Sequence, residues 1–295
     1  MVKASRKMLI AFSLNLVFAI IEVFAGLAFQ SSAILADAVH DFGDAIAIGF
    51  STLLELVSNK KENHRFTFCY KRLSLLGAFV TSIILITGSC YVLFKNVPRL
   101  WQAPPVHYDG MLTLGFLAII INYVAGRIVS KGKTRNEAIL SLHFLEDILG
   151  WLAIILVSII MKFTHWYFLD PLFSLIISSY ILSQALPKFW GTLILFLEGV
   201  PESCDYQDLL RSLQALDQVD QVLQFNLWSL DGLDNLATLH ITLPEQTEPA
   251  EAKSAILEVL KQASISSATI QIDSHLEEHS EHAPLHVVTD RPHHH

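Results

Sequence analysis

Two short stretches of the chain carry the same two side chains at the same interval. His40 and Asp44 sit four apart in HDFGD, and His143 and Asp147 sit four apart in HFLED. On an α-helix, positions i and i+4 lie on one face about one turn apart. Each stretch therefore aims one imidazole and one carboxylate at a common point. Two such helices facing one another offer two nitrogens and two oxygens, a tetrahedral set that Zn²⁺ accepts readily. In the blander reading, His and Asp pair with each other or line a water cavity. That reading explains one copy as well as metal binding does, and two copies less well.

The surroundings sharpen the question. The first pair lies in ILADAVHDFGDAIAIGF, residues 34–50, flanked on both sides by Ala, Ile, Leu and Phe. At 100° per residue, Asp37, His40, Asp41 and Asp44 fall within an arc of about 100°. Carboxylates deep in a bilayer are costly to keep charged unless a partner compensates, and a dication is such a partner. Asn136 and Glu146 lie close to the His143–Asp147 face. Asp37, Asp41, Asn136 and Glu146 are therefore read as a polar surround that orients the four ligands. Asn15 and Glu22, seven apart, share a face of the preceding apolar stretch, and their spacing is read as helix packing rather than ion binding.

The elements that must hold these groups are long and apolar. The 295 residues are 52% hydrophobic and 16% charged, with a mean hydropathy of +0.45. At about 20 residues per bilayer crossing, six spans are expected near 8–28, 33–57, 73–94, 110–130, 139–161 and 166–187. Lys3, Arg6 and Lys7 imitate the start of a secretory signal, but the following apolar run is too long for one and reads as a retained helix. Lys and Arg in and beside the connections divide thirteen to three between the two sides, which places both termini in the cytoplasm. The net charge of −8 argues against nucleic acid as a partner. Cys69, Cys90 and Cys204 are far apart, with no CxxC pair, so neither a disulfide framework nor a thiolate metal site is implied. There is no nucleophile–base pair, phosphate loop or Gly-rich fingerprint, so neither an enzyme nor an organic cofactor is expected.

Beyond EGVPES (198–203) the pattern becomes that of a soluble domain. Helical spacing over 205–216, alternating stretches at 219–230 and 236–243 joined by a turn at DGLDN, a helix over 250–263 and a strand over 267–273 give the order αββαβ. The expected division is a membrane domain at 1–200, a small cytoplasmic α+β domain at 201–275, and a polar tail at 276–295. The stretch from His275 onward holds seven of the thirteen histidines, and its final HHH also matches a truncated purification tag.

These residues resemble a family. LNLVFAIIEVFAGLAFQSSAILADAVHDFGD is similar to the first two helices of the cation diffusion facilitators, the zinc-transporter family. FTFCYKRLSLLGAF (66–79), HFLEDILG, DPLFSLIISSYIL (170–182) and LFLEGVP (195–201) resemble its later landmarks. The likeness spans roughly residues 8–275. It implies a homodimer of six-helix protomers, each with a ferredoxin-like cytoplasmic domain, that exchanges a divalent metal for protons by alternating access. His40, Asp44, His143 and Asp147 match the family's transport site, and the two-His, two-Asp composition is similar to that of zinc-preferring members. The positions that hold a further loop site in some bacterial members are Phe66 and Tyr70 here, so the resemblance does not extend to that site. SKGKTRN lacks the His-rich insert of many vesicular members, which favours a bacterial plasma-membrane exporter over an organelle loader. His240, Asp273 and His275 fall near positions where relatives bind a regulatory metal, although a lone His on an exposed strand is usually an ordinary surface residue.

The expected function is export of Zn²⁺, with Cd²⁺, Co²⁺ and Fe²⁺ left open as cargo, in exchange for H⁺. Loading the metal requires neutral imidazole and ionised carboxylate, so binding displaces protons. Two other readings stand beside it. One is a non-transporting membrane zinc sensor or scaffold that signals through its cytoplasmic domain. The other is a proton-coupled carrier of an organic solute, for which the spans offer no obvious recognition site.

Overall fold

The computed structural model describes the backbone at residues 2–58, 64, 66–68, 70–130 and 135–274, with side chains described there except at 2–9, 11–12, 51–58, 128–130 and 135–143. Six long helices come first: α1 (Val2–Phe29), α2 (Ser32–Ser58), α3 (Leu73–Asn96), α4 (Tyr108–Ser130), α5 (Arg135–Thr164) and α6 (Leu169–Phe196). Four helical segments (Leu73–Leu100, Tyr108–Arg127, Phe144–Thr164 and Leu169–Phe196) are long and apolar enough to cross a bilayer by composition alone. α2 is long enough but carries Asp37, Asp41 and Asp44 within eight residues, and in α1 the apolar segment recognised is the shorter Ser13–Phe29. The last helix runs past the expected end at 187, straight through Pro187 to Phe196. A membrane helix tolerates proline because neighbouring groups re-satisfy the freed carbonyl.

Large apolar side chains such as Phe24, Phe94, Phe163 and Leu156 stand exposed, while Asn15, Glu22, Asp41 and Asn122 are buried. That inversion of the soluble pattern is what a lipid surround produces. The apolar centre gathers Phe18, Ile34, Met111, Trp151 and Ile154, with Phe18 edge-on to Trp151 at 5.9 Å between centroids. α2 and α3 approach closely where glycines face branched side chains. A Cβ on Gly43 would sit 2.5 Å from Leu85 Cδ2, and one on Gly88 2.5 Å from Val39 Cγ1.

The chain divides into two compact units at Trp190/Gly191. The second unit carries α7 (Tyr206–Gln214), β1 (Gln221–Ser229), β2 (Asn235–Thr242), α8 (Pro249–Gln262) and β3 (Ile265–Ile272), in the expected order αββαβ. β2 is central, antiparallel to β1 and parallel to β3. The amphipathic helices and one sheet face enclose Leu209, Leu213, Phe225, Leu239, Ile256 and Leu260. In a regular strand Val222 and Phe225, three apart, would face opposite sides. The bulge between Val222 and Gln224 puts both in the core. At the hairpin, Asp231 Oδ1 accepts from the Leu233 and Asp234 amides, and Gly232 takes a φ of 87°. Tyr206 stacks on Phe225 and donates to its carbonyl at 3.0 Å, and burial pushes the phenol above its ordinary value. The tail beyond 275 lies outside the described residues.

Candidate metal centre

The placement of α2 starts at its first turn. Gln30 turns the chain with a φ of 56°, leaving Ser31, Ser32 and Ala33 with amides or hydroxyls to satisfy at a helix N-terminus. Asp170, from the start of α6, supplies the acceptors. Its Oδ1 takes the Ser31 hydroxyl at 2.6 Å and the Ala33 amide at 3.2 Å, and its Oδ2 takes the Ser32 amide at 2.6 Å. Ser31 Oγ in turn accepts from the Ile34 amide at 3.2 Å, and Arg99 donates to Ser32 Oγ at 2.8 Å. A carboxylate here satisfies orphan donors and complements the helix dipole. The polar stripe of α2 is thus fixed in height and rotation.

Two rows run down that stripe. His40 and Asp44 form one, with Nε2 and Oδ2 3.4 Å apart and both side chains about one quarter exposed. Asp37 and Asp41 form the other. Across from them on α5, Asp147 is buried and lies within electrostatic reach of Asp37 and Asp44. Gly150, one turn further along α5, lies beside Asp37. A Cβ there would lie 4.0 Å from Asp37 Oδ1. Asp37 of α2 and Gly150 of α5 thus lie close to each other. The side chains of His143 and Asn136 lie outside the described set, although both belong to α5. Glu146 is exposed and accepts from Tyr180 of α6 at 3.3 Å, so it faces away from the cluster formed by Asp37 and Asp41.

Among the described residues, the group of potential ligands whose donor atoms lie within 4.8 Å of one another is Glu22, Asp37 and Asp41; Asp147 lies outside it. Sequence reasoning read Glu22 as a packing residue. The structure turns it instead into the α2 carboxylates, fully buried. The signal was present as a lone acidic residue in an apolar span, but nothing in the sequence tells which neighbour α1 meets.

In the second unit, His240 Nδ1 lies 3.0 Å from Asp273 Oδ2, and Gln271 donates to Asp273 Oδ1 at 2.8 Å. His240 is paired across the sheet with Gln271, and Leu239 and Ile241 on either side of it point into the core. His275 lies outside the described residues. At the second loop, Phe66 and Tyr70 pack ring against ring with centroids 4.9 Å apart, and His64 is exposed.

Residues 8–196 match the model of the cation efflux transmembrane domain. The chain is 28% identical over 279 residues to the cadmium, cobalt and zinc/H(+)-K(+) antiporter of Bacillus subtilis, covering 92% of this chain and 90% of that one. It is 30% identical over 277 residues to the zinc transporter ZitB of Pectobacterium atrosepticum, covering 91% and 85%. It is 27% identical over 212 residues to the metal cation efflux system protein CzcD of Cupriavidus metallidurans, covering 71% and 67%. An intramembrane His/Asp face, a helical membrane unit and an αββαβ unit thus occur in a chain that matches this domain across its membrane part, and the protein belongs to the cation diffusion facilitator family of cation efflux transporters.

Proposed function

We propose that the protein exports Zn²⁺ from the cytosol in exchange for protons, with His40 and Asp44 of α2 and His143 and Asp147 of α5 as the ligands of the transported ion. The observation that supports this reading is the His40–Asp44 pair, 3.4 Å apart on α2, with buried Asp147 of α5 within electrostatic reach of Asp44. The named relatives transport zinc, or cadmium, cobalt and zinc, which supports a borderline-soft divalent cargo. Imidazole suits such a metal better than it suits Mg²⁺ or Ca²⁺.

The coupling follows from the ligands. An imidazole binds metal only when neutral and a carboxylate only when ionised, so loading releases protons and acid on the far side evicts the ion. Rocking of helices around a fixed site alternates its exposure. Both termini and the αββαβ unit are assigned to the cytoplasm by the Lys/Arg asymmetry, in a bacterial plasma membrane, and the working form is a homodimer. The His240–Asp273 pair, together with His275, is the candidate for a regulatory metal on the cytoplasmic side.

The test is zinc flux into proteoliposomes across a range of imposed pH gradients. Flux should rise with the opposing proton gradient and vanish in Asp44→Ala and Asp147→Ala while both variants remain folded. Flux indifferent to the gradient would remove the coupling, and flux retained in both variants would remove the site assignment.

A further inference from the structure

We infer that Glu22, Asp37 and Asp41 form a second intramembrane cation site, an all-oxygen one, on the α1-facing row of the α2 polar stripe. Three observations bear on it. Ligand oxygens of the three side chains lie within 4.8 Å of one another, although they come from two helices. Glu22 is 0% exposed, Asp41 1% and Asp37 8%. Glu22 and Asp41 meet carboxyl to carboxyl, and Oδ2 of Asp37, buried beside them, has no hydrogen-bond partner.

Three carboxylates left this way repel one another and carry a desolvation cost that protein groups must offset. Neither helix can do so with a basic side chain, since no Lys or Arg occurs between Lys7 and Lys60. Arg99, the cation that reaches the α1–α2 turn, donates to Ser32 instead. The other charged groups near the cluster are Asp44 and Asp147, which add negative charge, and His40. A divalent cation supplies what is missing: positive charge in place of the proton that Glu22 and Asp41 otherwise share, and a partner for Asp37 Oδ2.

The donor set sets the chemistry. Carboxylates alone are hard ligands that suit Mn²⁺, Mg²⁺ or Ca²⁺ geometries, whereas the His/Asp row beside them suits zinc. The two rows share one helix face, so an ion held by the carboxylates lies beside the His40–Asp44 pair. The inference does not depend on His40 and Asp44 carrying the cargo.

Mn²⁺ is the probe, because it is hard and paramagnetic. Full-length protein in lipid nanodiscs is equilibrated with Mn²⁺, the bound metal is counted, and the parent is compared with Glu22→Gln, Asp41→Asn and Asp147→Asn. Glu22→Gln and Asp41→Asn should each hold one Mn²⁺ fewer per chain, or bind it at least tenfold more weakly, whereas Asp147→Asn, which removes a proposed transport ligand, should keep the Mn²⁺ population without ¹⁴N coupling. Metal held elsewhere on the chain cancels in the difference. Equal Mn²⁺ counts in the parent, Glu22→Gln and Asp41→Asn overturn the site, as does a loss confined to Asp147→Asn. The parent gives a readout that needs no variant: its Mn²⁺ resonance should include a population without ¹⁴N coupling. If every bound Mn²⁺ shows imidazole nitrogen, the site does not exist. Zinc flux lost in Asp147→Asn with Mn²⁺ retained would separate this site from the transport ligands.

Discussion

Asp170 caps a helix to which it does not belong. From the start of α6, its two carboxylate oxygens lie 2.6 Å from Ser31 Oγ and 2.6 Å from the Ser32 amide, at the first turn of α2. Every group on the α2 stripe inherits its position from this anchor. Buried hydrogen bonds to a charged acceptor are worth about 1.5–3 kcal/mol each when broken one-sidedly. Asp170→Ala should therefore lower the thermal midpoint in detergent and reduce zinc flux together. Ser31→Ala, which leaves the Ser32 and Ala33 bonds in place, should show a smaller shift in both.

The ligand chemistry predicts a change of preference as well as a loss. His40→Asp replaces a nitrogen with a harder oxygen donor, and carboxylate sets favour Mn²⁺ and Mg²⁺ relative to zinc. In a metal-competition flux assay, the variant should lose zinc transport and gain relative transport of Mn²⁺. Unchanged selectivity would mean that His40 does not touch the ion.

Acid should weaken zinc binding. The unperturbed imidazole titrates near a pH of about 6.5 and must be neutral to bind metal. Below that region each proton that competes should weaken the apparent affinity by about tenfold per pH unit. Zinc titrations between roughly pH 5.5 and 8 check this; a flat profile would show that no proton leaves when the metal arrives.

The close approach of α2 and α3 gives a packing prediction. At Gly43 a Cβ would meet Leu85 Cδ2 at 2.5 Å, and a branched side chain has nowhere to go. Gly43→Val should cost about 1–3 kcal/mol through overpacking. It should also shift the α2 stripe, so that thermal stability and zinc affinity fall together. Gly43→Ala, whose single methyl still meets Leu85 Cδ2 at 2.5 Å and Cγ at 2.8 Å, should fall between the parent and Gly43→Val.

In the second unit, Tyr206 is held protonated by burial. A phenol whose folded value is raised stabilises the fold below its ordinary titration point of about 10 and loses that contribution as pH rises through the folded value. Alkaline unfolding of this unit, followed by the near-ultraviolet signal of Trp228, should be delayed in Tyr206→Phe. At neutral pH the same variant should be less stable by about 1 kcal/mol, for the lost bond to the Phe225 carbonyl.

Much of this was legible in one dimension because the relevant spacings are local. Helices α1 to α5 were marked by apolar runs of bilayer length, and the αββαβ order by the change of period after residue 200. His40 and Asp44 could be placed on one face because i and i+4 always share one. The sixth span was expected near 166–187 from bilayer length alone, and α6 continues through Pro187 to Phe196, which a membrane surround tolerates. The β1 bulge was also invisible, since it depends on which strand lies opposite.

By itself, then, the sequence determined which residues stripe each helix and which chemistry they carry. Only the tertiary structure decided who faces whom. Glu22 joins Asp37 and Asp41, Gly150 comes to lie beside Asp37, and Asp170 caps α2 from more than a hundred residues away. Periodicity fixes the angle of a side chain about its own helix axis. The rotation and neighbour of that helix are set by packing among all six, which no local pattern encodes.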